Sequence, residues 1–290
     1  MKILNFGSIN IDRVYQVAHI VRPGETLAGS SLSIFAGGKG NNQSIALARA
    51  GAPVFHAGKV GKDGAWIVRE LKKAGADVQF VKTDSGPTGH AVIQVAGSAQ
   101  NAIVLFPGAN RTITSQEIRA CLAHFGKGDI LLLQNEINAI PEIMQAARQA
   151  GITIWFNPAP FDETVMTYPL SLVDCFIVNE IEAAGLSGEK AGKSALTTLA
   201  TRFPAADILM TLGAKGALLR SGTRQWSVPA PKVKAVDTTA AGDTFIGYYA
   251  ASRVMGFEPE QCLLYACRAA SIAVTRPGAA ASIPDRSEVF

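Results

Sequence analysis

Residues 129–158 read DILLLQNEINAIPEIMQAARQAGITIWFNP. Residues 129–134 read as a strand: the run at 130–133 is apolar without alternation and too short for a helix, as a strand covered on both faces would be. Pro141 then stands in the first turn of a helix that ends before Gly151. Residues 152–157 form a second strand. Two strands around one helix make a unit whose strands run parallel and whose crossover is right-handed.

The same alternation continues outward. Downstream, the pattern predicts strands at 173–178 and 206–211, helices near 180–185 and 192–203, a hairpin over 217–220 and 225–229, and helices at about 241–255 and 259–275. Upstream, Thr114-Ser115-Gln116-Glu117 is a capping box for a helix to about 125. Residues 2–8 and 53–58 read as strands, and a helix over about 42–50 is closed by Gly51. Asp63 reads as the N-cap of a helix to about 74, closed by Gly75. Residues 78–106 break the rhythm. There VQFVK, HAVIQV and NAIVLF follow one another with no room for a helix, which predicts a local antiparallel patch. Residues 14–19 and 27–35 alternate more roughly around a turn at Pro23-Gly24. The expected architecture is α/β: a doubly wound, mostly parallel sheet flanked by helices. It carries a small β-sheet lid built from about 13–34 and 88–106. No repeat, low-complexity tract or linker divides residues 1–290, so one domain is expected.

Composition excludes several classes. The 290 residues are 48% apolar and 17% charged, too apolar for disorder. The net charge of 27 − 23 = +4 is spread along the chain, unlike the basic stripe of a nucleic-acid binder. No window approaches a membrane span, and the N-terminus lacks a signal-peptide apolar region. The four cysteines show no metal-ligand spacing, and reduced thiols in a cytoplasmic protein are expected.

In doubly wound sheets ligands sit beyond the carboxyl ends of the strands, so loops after strands carry the chemistry. Gly37-Gly38-Lys39-Gly40-Asn41-Asn42-Gln43 permits close approach of a ligand to backbone, or forms a tight turn. It matches neither GxxxxGK[ST] nor GxGxxG. Asp237-Thr238-Thr239-Ala240-Ala241-Gly242-Asp243-Thr244 opens a helix, whose first amides form an anion hole. Asp243, at its mouth, is a candidate proton acceptor, or a residue compensating the helix dipole. Asn179-Glu180-Ile181-Glu182 could hold Mg²⁺ through water, or be a solvated helix start. Thr211-Leu212-Gly213-Ala214-Lys215-Gly216 reads alone as a turn.

Taken together and in this order, these segments resemble the ribokinase-like (PfkB) carbohydrate kinases, over nearly the whole chain from Gly7 to Pro284. Gly-Gly-Lys-Gly, Pro-Gly-Glu-Thr at 23–26 and Pro-Gly-Ala-Asn at 107–110 are similar to the ribokinase branch. The resemblance implies sugar contacts from Asn10, Asp12, Gly38, Lys39, Asn42 and Glu136, and a catalytic base in Asp243 beside an anion hole of Ala240, Ala241 and Gly242. It implies that Asn179 and Glu182 lie near Mg²⁺ and the ATP phosphates. The resemblance also implies that Thr211, Gly213 and Gly216, with Gly242, line the nucleotide. Asp237, Thr239, Ala273, Arg276, Gly278 and Ser282 match a loop that holds an activating K⁺, largely through backbone oxygens. The implied reaction is transfer of the γ-phosphoryl group of ATP to a primary sugar hydroxyl, D-ribose first among the candidates. Another sugar or nucleoside acceptor, or a non-catalytic binding protein on the same scaffold, remains open. A homodimer through the lid is also implied. Ala240 stands where the family usually has Gly, and Cys267 stands near an expected adenine contact.

Overall fold

A computed structural model describes the protein at residues 1–97, 100–190 and 192–290. Residues 98 and 99, inside the 88–106 excursion, lie outside the described residues. The chain opens with β1 (Ile3–Phe6), β2 (Asn10–Val17) and β3 (Ser31–Gly37), then α1 (Lys39–Arg49) and β4 (Val54–Val60). Next come α2 (Ala65–Lys73), β5 (Asp77–Thr83), β6 (Gly89–Ala96), β7 (Asn101–Phe106) and α3 (Ser115–Leu122). A regular alternation follows: β8 (Ile130–Gln134), α4 (Ile140–Gln149), β9 (Thr153–Asn157), β10 (Cys175–Asn179), α5 (Glu180–Ser187), α6 (Lys193–Arg202) and β11 (Asp207–Thr211). The hairpin β12 (Ala217–Ser221) and β13 (Arg224–Val228) leads to α7 (Ala241–Val254), α8 (Pro259–Ala273) and the short α9 (Arg286–Val289).

The large sheet has the order β13-β12-β11-β10-β9-β8-β1-β4-β5, parallel from β11 to β5 and antiparallel in the terminal hairpin. Its central strands are buried along their length, as an apolar run without alternation requires. Two hydrophobic clusters cover the two faces. One joins α1, α2, α7 and α8 to the sheet, and the other joins α3 to α6. The strand order reverses between β1 and β8, so the crevice beyond their carboxyl ends is a topological switch point.

Three expectations need correction. The run at 78–82 is part of β5, a parallel edge strand of the large sheet, and does not join the small one. α2 carries the chain from β4 outward to the adjacent edge position, so this run pairs with β4 and not with β6, the strand that follows it in sequence. The second sheet, ordered β3-β2-β6-β7, is mixed: β2 pairs with β6 in parallel, because the whole of β4 to β5 intervenes between them. Asp63 does not cap α2, whose N-cap is Gly64. Its carboxylate instead accepts hydrogen bonds from the Thr88 amide (3.0 Å) and hydroxyl (2.6 Å), tying the exit of β4 to the root of β6.

Candidate active site

The site grows from the start of α1. Gly38 caps the helix at φ 90°, a conformation that favours glycine, and the helix begins at Lys39. A Cβ on Gly40 would lie 2.5 Å from the Gly7 carbonyl carbon, so this turn rests directly on the backbone leaving β1. α1 also meets α7 at close range, since a Cβ on Gly247 would fall 2.3 Å from the Ala46 Cβ. That proximity brings Asn42 and Gln43 to Asp243, which is buried in the first turn of α7. Asn42 Nδ2 donates to Asp243 Oδ2 (3.0 Å), and Gln43 Nε2 donates to Asp243 Oδ1 (2.9 Å). Behind Gln43 runs a buried amide chain. Gln134 Nε2 donates to Gln43 Oε1 (2.7 Å) and to Asn5 Oδ1 (2.9 Å).

Ala240, the N-cap of α7, sits at φ 59°, a left-handed conformation that a side chain resists. The Ala241 amide donates to the Thr238 carbonyl (3.2 Å) and the Thr244 amide to the Ala240 carbonyl (2.8 Å). Among the described residues, the amides of Gly242 and Asp243 have no backbone acceptor, as expected for the first turn of a helix. They open into a cleft of about 200 Å³ lined by Lys39, Asn157, Asn179, Glu182, Thr211 and Asp243, among others. An anion placed there would meet free N–H groups and the positive end of α7.

Asp12, Glu136 and Lys39 form the other half of the site. Glu136 Oε2 accepts from the Lys39 amide (2.9 Å) and from the Ser8 hydroxyl. Burial, with Glu136 and Asp243 nearby, raises the Asp12 pKa to about 7. Burial likewise raises Glu136 and Glu182 above the usual carboxylate range, against the pull of Lys39. Burial works against the Lys39 charge, but Asp243, Glu136 and Glu182 outweigh it and hold its pKa above the ordinary value. Asn10 is buried at the start of β2, flanked across the strands by Gly37 and Gly89.

On the opposite side, Asn179 and Glu182 close a reciprocal capping box at the start of α5. Asn157 Nδ2 donates to the Ile177 carbonyl (2.9 Å) and to Glu182 (3.4 Å), which links this pair towards Gln43. Thr211 lies beside Asn179 in the register of β10 and β11. Gly213 and Gly216 adopt φ 56° and 105° in the turn that follows, and a Cβ on Gly216 would strike the Val228 carbonyl at 2.0 Å. Further along, Asp237 accepts from the Thr239 amide (2.9 Å) and hydroxyl (2.6 Å) and from the Gly278 amide (2.9 Å). This joins the 237–239 loop to the segment that carries Ala273, Arg276, Gly278 and Ser282. Burial opposes the Asp237 charge, but these hydrogen bonds outweigh it and hold its pKa low. The Arg276 guanidinium is occupied by Glu288, so its backbone carbonyl is the group it could offer a cation. Cys267 is buried in the core.

The geometry therefore gathers Lys39, Asn179, Glu182, Thr211, Ala240, Gly242 and Asp243 around one cleft. The pfkB family carbohydrate kinase pattern matches residues 1–286. The chain belongs to this family. It is similar to the ribokinase of Haemophilus influenzae, at 37% identity over 98% of this chain and 95% of that one. A ribokinase structure from Thermotoga maritima superposes with a TM-score of 0.88 at 34% identity, covering 100% and 98% of the two chains. The Arabidopsis thaliana ribokinase complexed with ribose and ATP gives a TM-score of 0.88 at 29% identity, over 99% and 97%. For this pfkB family chain the fold expected from sequence, a large mostly parallel sheet with a smaller β-sheet, is the one observed.

Sequence reading gave no role to Gln43, Gln134, Asn157 or Asn110, although Gln43 and Asn110 stand inside motifs it quotes. With the helix expected from 42, the spacing of Lys39, Asn42 and Gln43 on one α1 face was hidden; a start at Lys39 exposes it. Gln134, Asn157 and Asn110 are joined to the site only by long-range contacts, which no local pattern reports.

Proposed function

We propose that this carbohydrate kinase transfers the γ-phosphoryl group of ATP to the O5 hydroxyl of D-ribose, giving ribose 5-phosphate and ADP. One observation carries the proposal: Asp243 sits beside the free first-turn amides of α7, with both carboxylate oxygens held by Asn42 and Gln43. Asp243 accepts the O5 proton as the O5–P bond forms and the bond from phosphorus to the ADP oxygen breaks. The Gly242 and Asp243 amides, with the 240–242 turn, stabilise charge on the transferring group. Asn10, Asp12, Gly38, Lys39, Asn42 and Glu136 hold the sugar, and positioning supplies much of the rate. Thr211, Gly213, Gly216 and Asn179 line the nucleotide.

Asn179 Oδ1 is engaged by the Ile181 and Glu182 amides, so the Glu182 carboxylate at the cleft is the oxygen of this pair that would suit Mg²⁺, held through water. When bound, that ion neutralises phosphate charge. The Asp237 carboxylate bridging two loops, with Thr239, Ala273, Arg276, Gly278 and Ser282, is an all-oxygen set that suits K⁺. We read residues 1–290 as one domain in which the small sheet, from about 13–34 and 88–106, closes over the sugar as a lid and excludes water. That lid exposes Phe35, Ile103 and Leu105 on the face that carries Asp12, an apolar surface that fits a second copy of the chain.

ADP release with Mg·ATP tests the reading across ribose, 2-deoxyribose, fructose, fructose 6-phosphate and nucleosides, in K⁺ and in Na⁺ at equal ionic strength. Highest kcat/KM on ribose, with K⁺ above Na⁺, is the expected result. Preference for another acceptor would move the substrate assignment, and indifference to K⁺ would remove the cation site.

A further inference from the structure

Asn110 closes the Pro-Gly-Ala-Asn motif, to which no site role is assigned above, in a one-turn 3₁₀ segment (Gly108–Arg111) directly after β7. It is 1% exposed, and its side chain is fully engaged. Asn110 Oδ1 accepts from the Ile9 amide (3.0 Å), and Nδ2 donates to the Ile9 carbonyl (3.2 Å) and to Asn10 Oδ1 (2.8 Å). The space for this insertion exists because Gly89 faces it. A Cβ there would lie 2.2 Å from Asn110 Nδ2 and 2.4 Å from Asn10 Oδ1. The turn carrying Asn110 is pinned at both ends. The Ala109 amide donates to the Pro87 carbonyl (3.0 Å), and the Asn138 amide donates to the Asn110 carbonyl (3.2 Å). Asn138 belongs to the loop after β8 that also carries Glu136.

A carboxamide has one acceptor end and one donor end. With Oδ1 of Asn10 taken by Asn110, the end left for a ligand is Nδ2, which has no protein acceptor among the described residues. We infer that Asn110 is a positioning residue for the sugar: it fixes the Asn10 carboxamide with its N–H groups towards the cleft and couples that orientation to the root of the lid. The consequence is a division of labour. Asn10 donates to a sugar hydroxyl oxygen, while the neighbouring carboxylates accept sugar O–H protons. A flipped Asn10 would set an acceptor beside acceptors and lose one hydrogen bond to the sugar. The inference rests on the kinase reading, because it is expressed through sugar binding.

The test is a double-mutant cycle on the full chain, with Asn110→Ala, Asn10→Ala and the double variant assayed on D-ribose and Mg·ATP. Asn110→Asp is the second variant. It keeps the acceptor for the Ile9 amide and replaces the donor with a carboxylate oxygen, which favours the flipped Asn10, so it reports independently of Asn110→Ala. The expected result is a rise of about tenfold in KM for ribose for each Asn110 variant, with KM for ATP within about twofold of wild type. In the Asn10→Ala background the Asn110 substitution should add almost nothing to the ribose KM. Equal losses for ribose and ATP, or full additivity with Asn10→Ala, would overturn the inference while leaving the kinase reading in place. A wild-type protein that turns over no ribose would overturn the ribose assignment, and this inference with it.

Discussion

The Asp12 carboxyl is held at a pKa of about 7 because burial and the Glu136 and Asp243 carboxylates all oppose its charge. In the unfolded chain the same group titrates near 3.8. Between those values the folded state binds more protons than the unfolded state, so this group's contribution to stability falls as pH rises from about 4 to 7. Asp12→Asn removes the titration. Thermal unfolding of that variant should show a Tm several degrees above wild type at pH 8 and little gain at pH 4, together with a raised KM for the sugar. An equal gain at both pH values would show that titration of Asp12 is not the cause. The same residue explains the glycine beside it. A Cβ on Gly37 would lie 2.0 Å from Asp12 Oδ2, so the carboxylate occupies the volume a side chain would need.

At the scale of elements, two helix starts make the site. α1 supplies Asn42 and Gln43 one turn in, and α7 supplies Asp243 and its free amides. Gln43→Leu keeps the volume and removes the donor to Asp243 Oδ1. It also removes one of the two acceptors of Gln134 Nε2, so that only Asn5 Oδ1 remains and one buried N–H is unpaired. The expected loss is about tenfold or more in kcat, with a smaller change in sugar KM. Adding Gln134→Leu should recover stability without recovering kcat; recovery of both would reduce Gln43 to a packing residue.

Helices were the most legible elements. The capping box at Thr114 and Glu117, Pro141 in the first turn of α4, and Gly51 and Gly75 after helices all stand where local chemistry predicts. Strand partners were less legible. Nothing inside VQFVK distinguishes a patch strand from an edge strand of the large sheet, because partner choice is made by the α2 crossover and not by the strand itself. The motif loops were readable as loops, but the amides that orient Asp243 and Asn10 come from distant segments and become visible only in the folded chain.

For the whole molecule, the cleft and the small sheet belong to one argument. Cross-strand pairing sets Phe35, Ala91 and Leu105 in the same row as Asp12, with Val14, Ile93 and Ile103 in a neighbouring row on that face. The face that carries Asp12 therefore continues outward as an apolar surface, with Ile103 57% and Leu105 46% exposed. Size-exclusion chromatography with light scattering should find a dimer, and the double variant Ile103→Glu, Leu105→Glu a monomer with a raised sugar KM. A wild-type monomer at working concentrations would remove the dimer from the account.

The central claim is that Asp243 is the base of a sugar kinase. The most direct measurement pairs ADP release with calorimetric ribose binding for wild type and Asp243→Asn. The account predicts a fall in kcat of about 10²- to 10⁴-fold while ribose still binds. Turnover close to wild type in Asp243→Asn would contradict it.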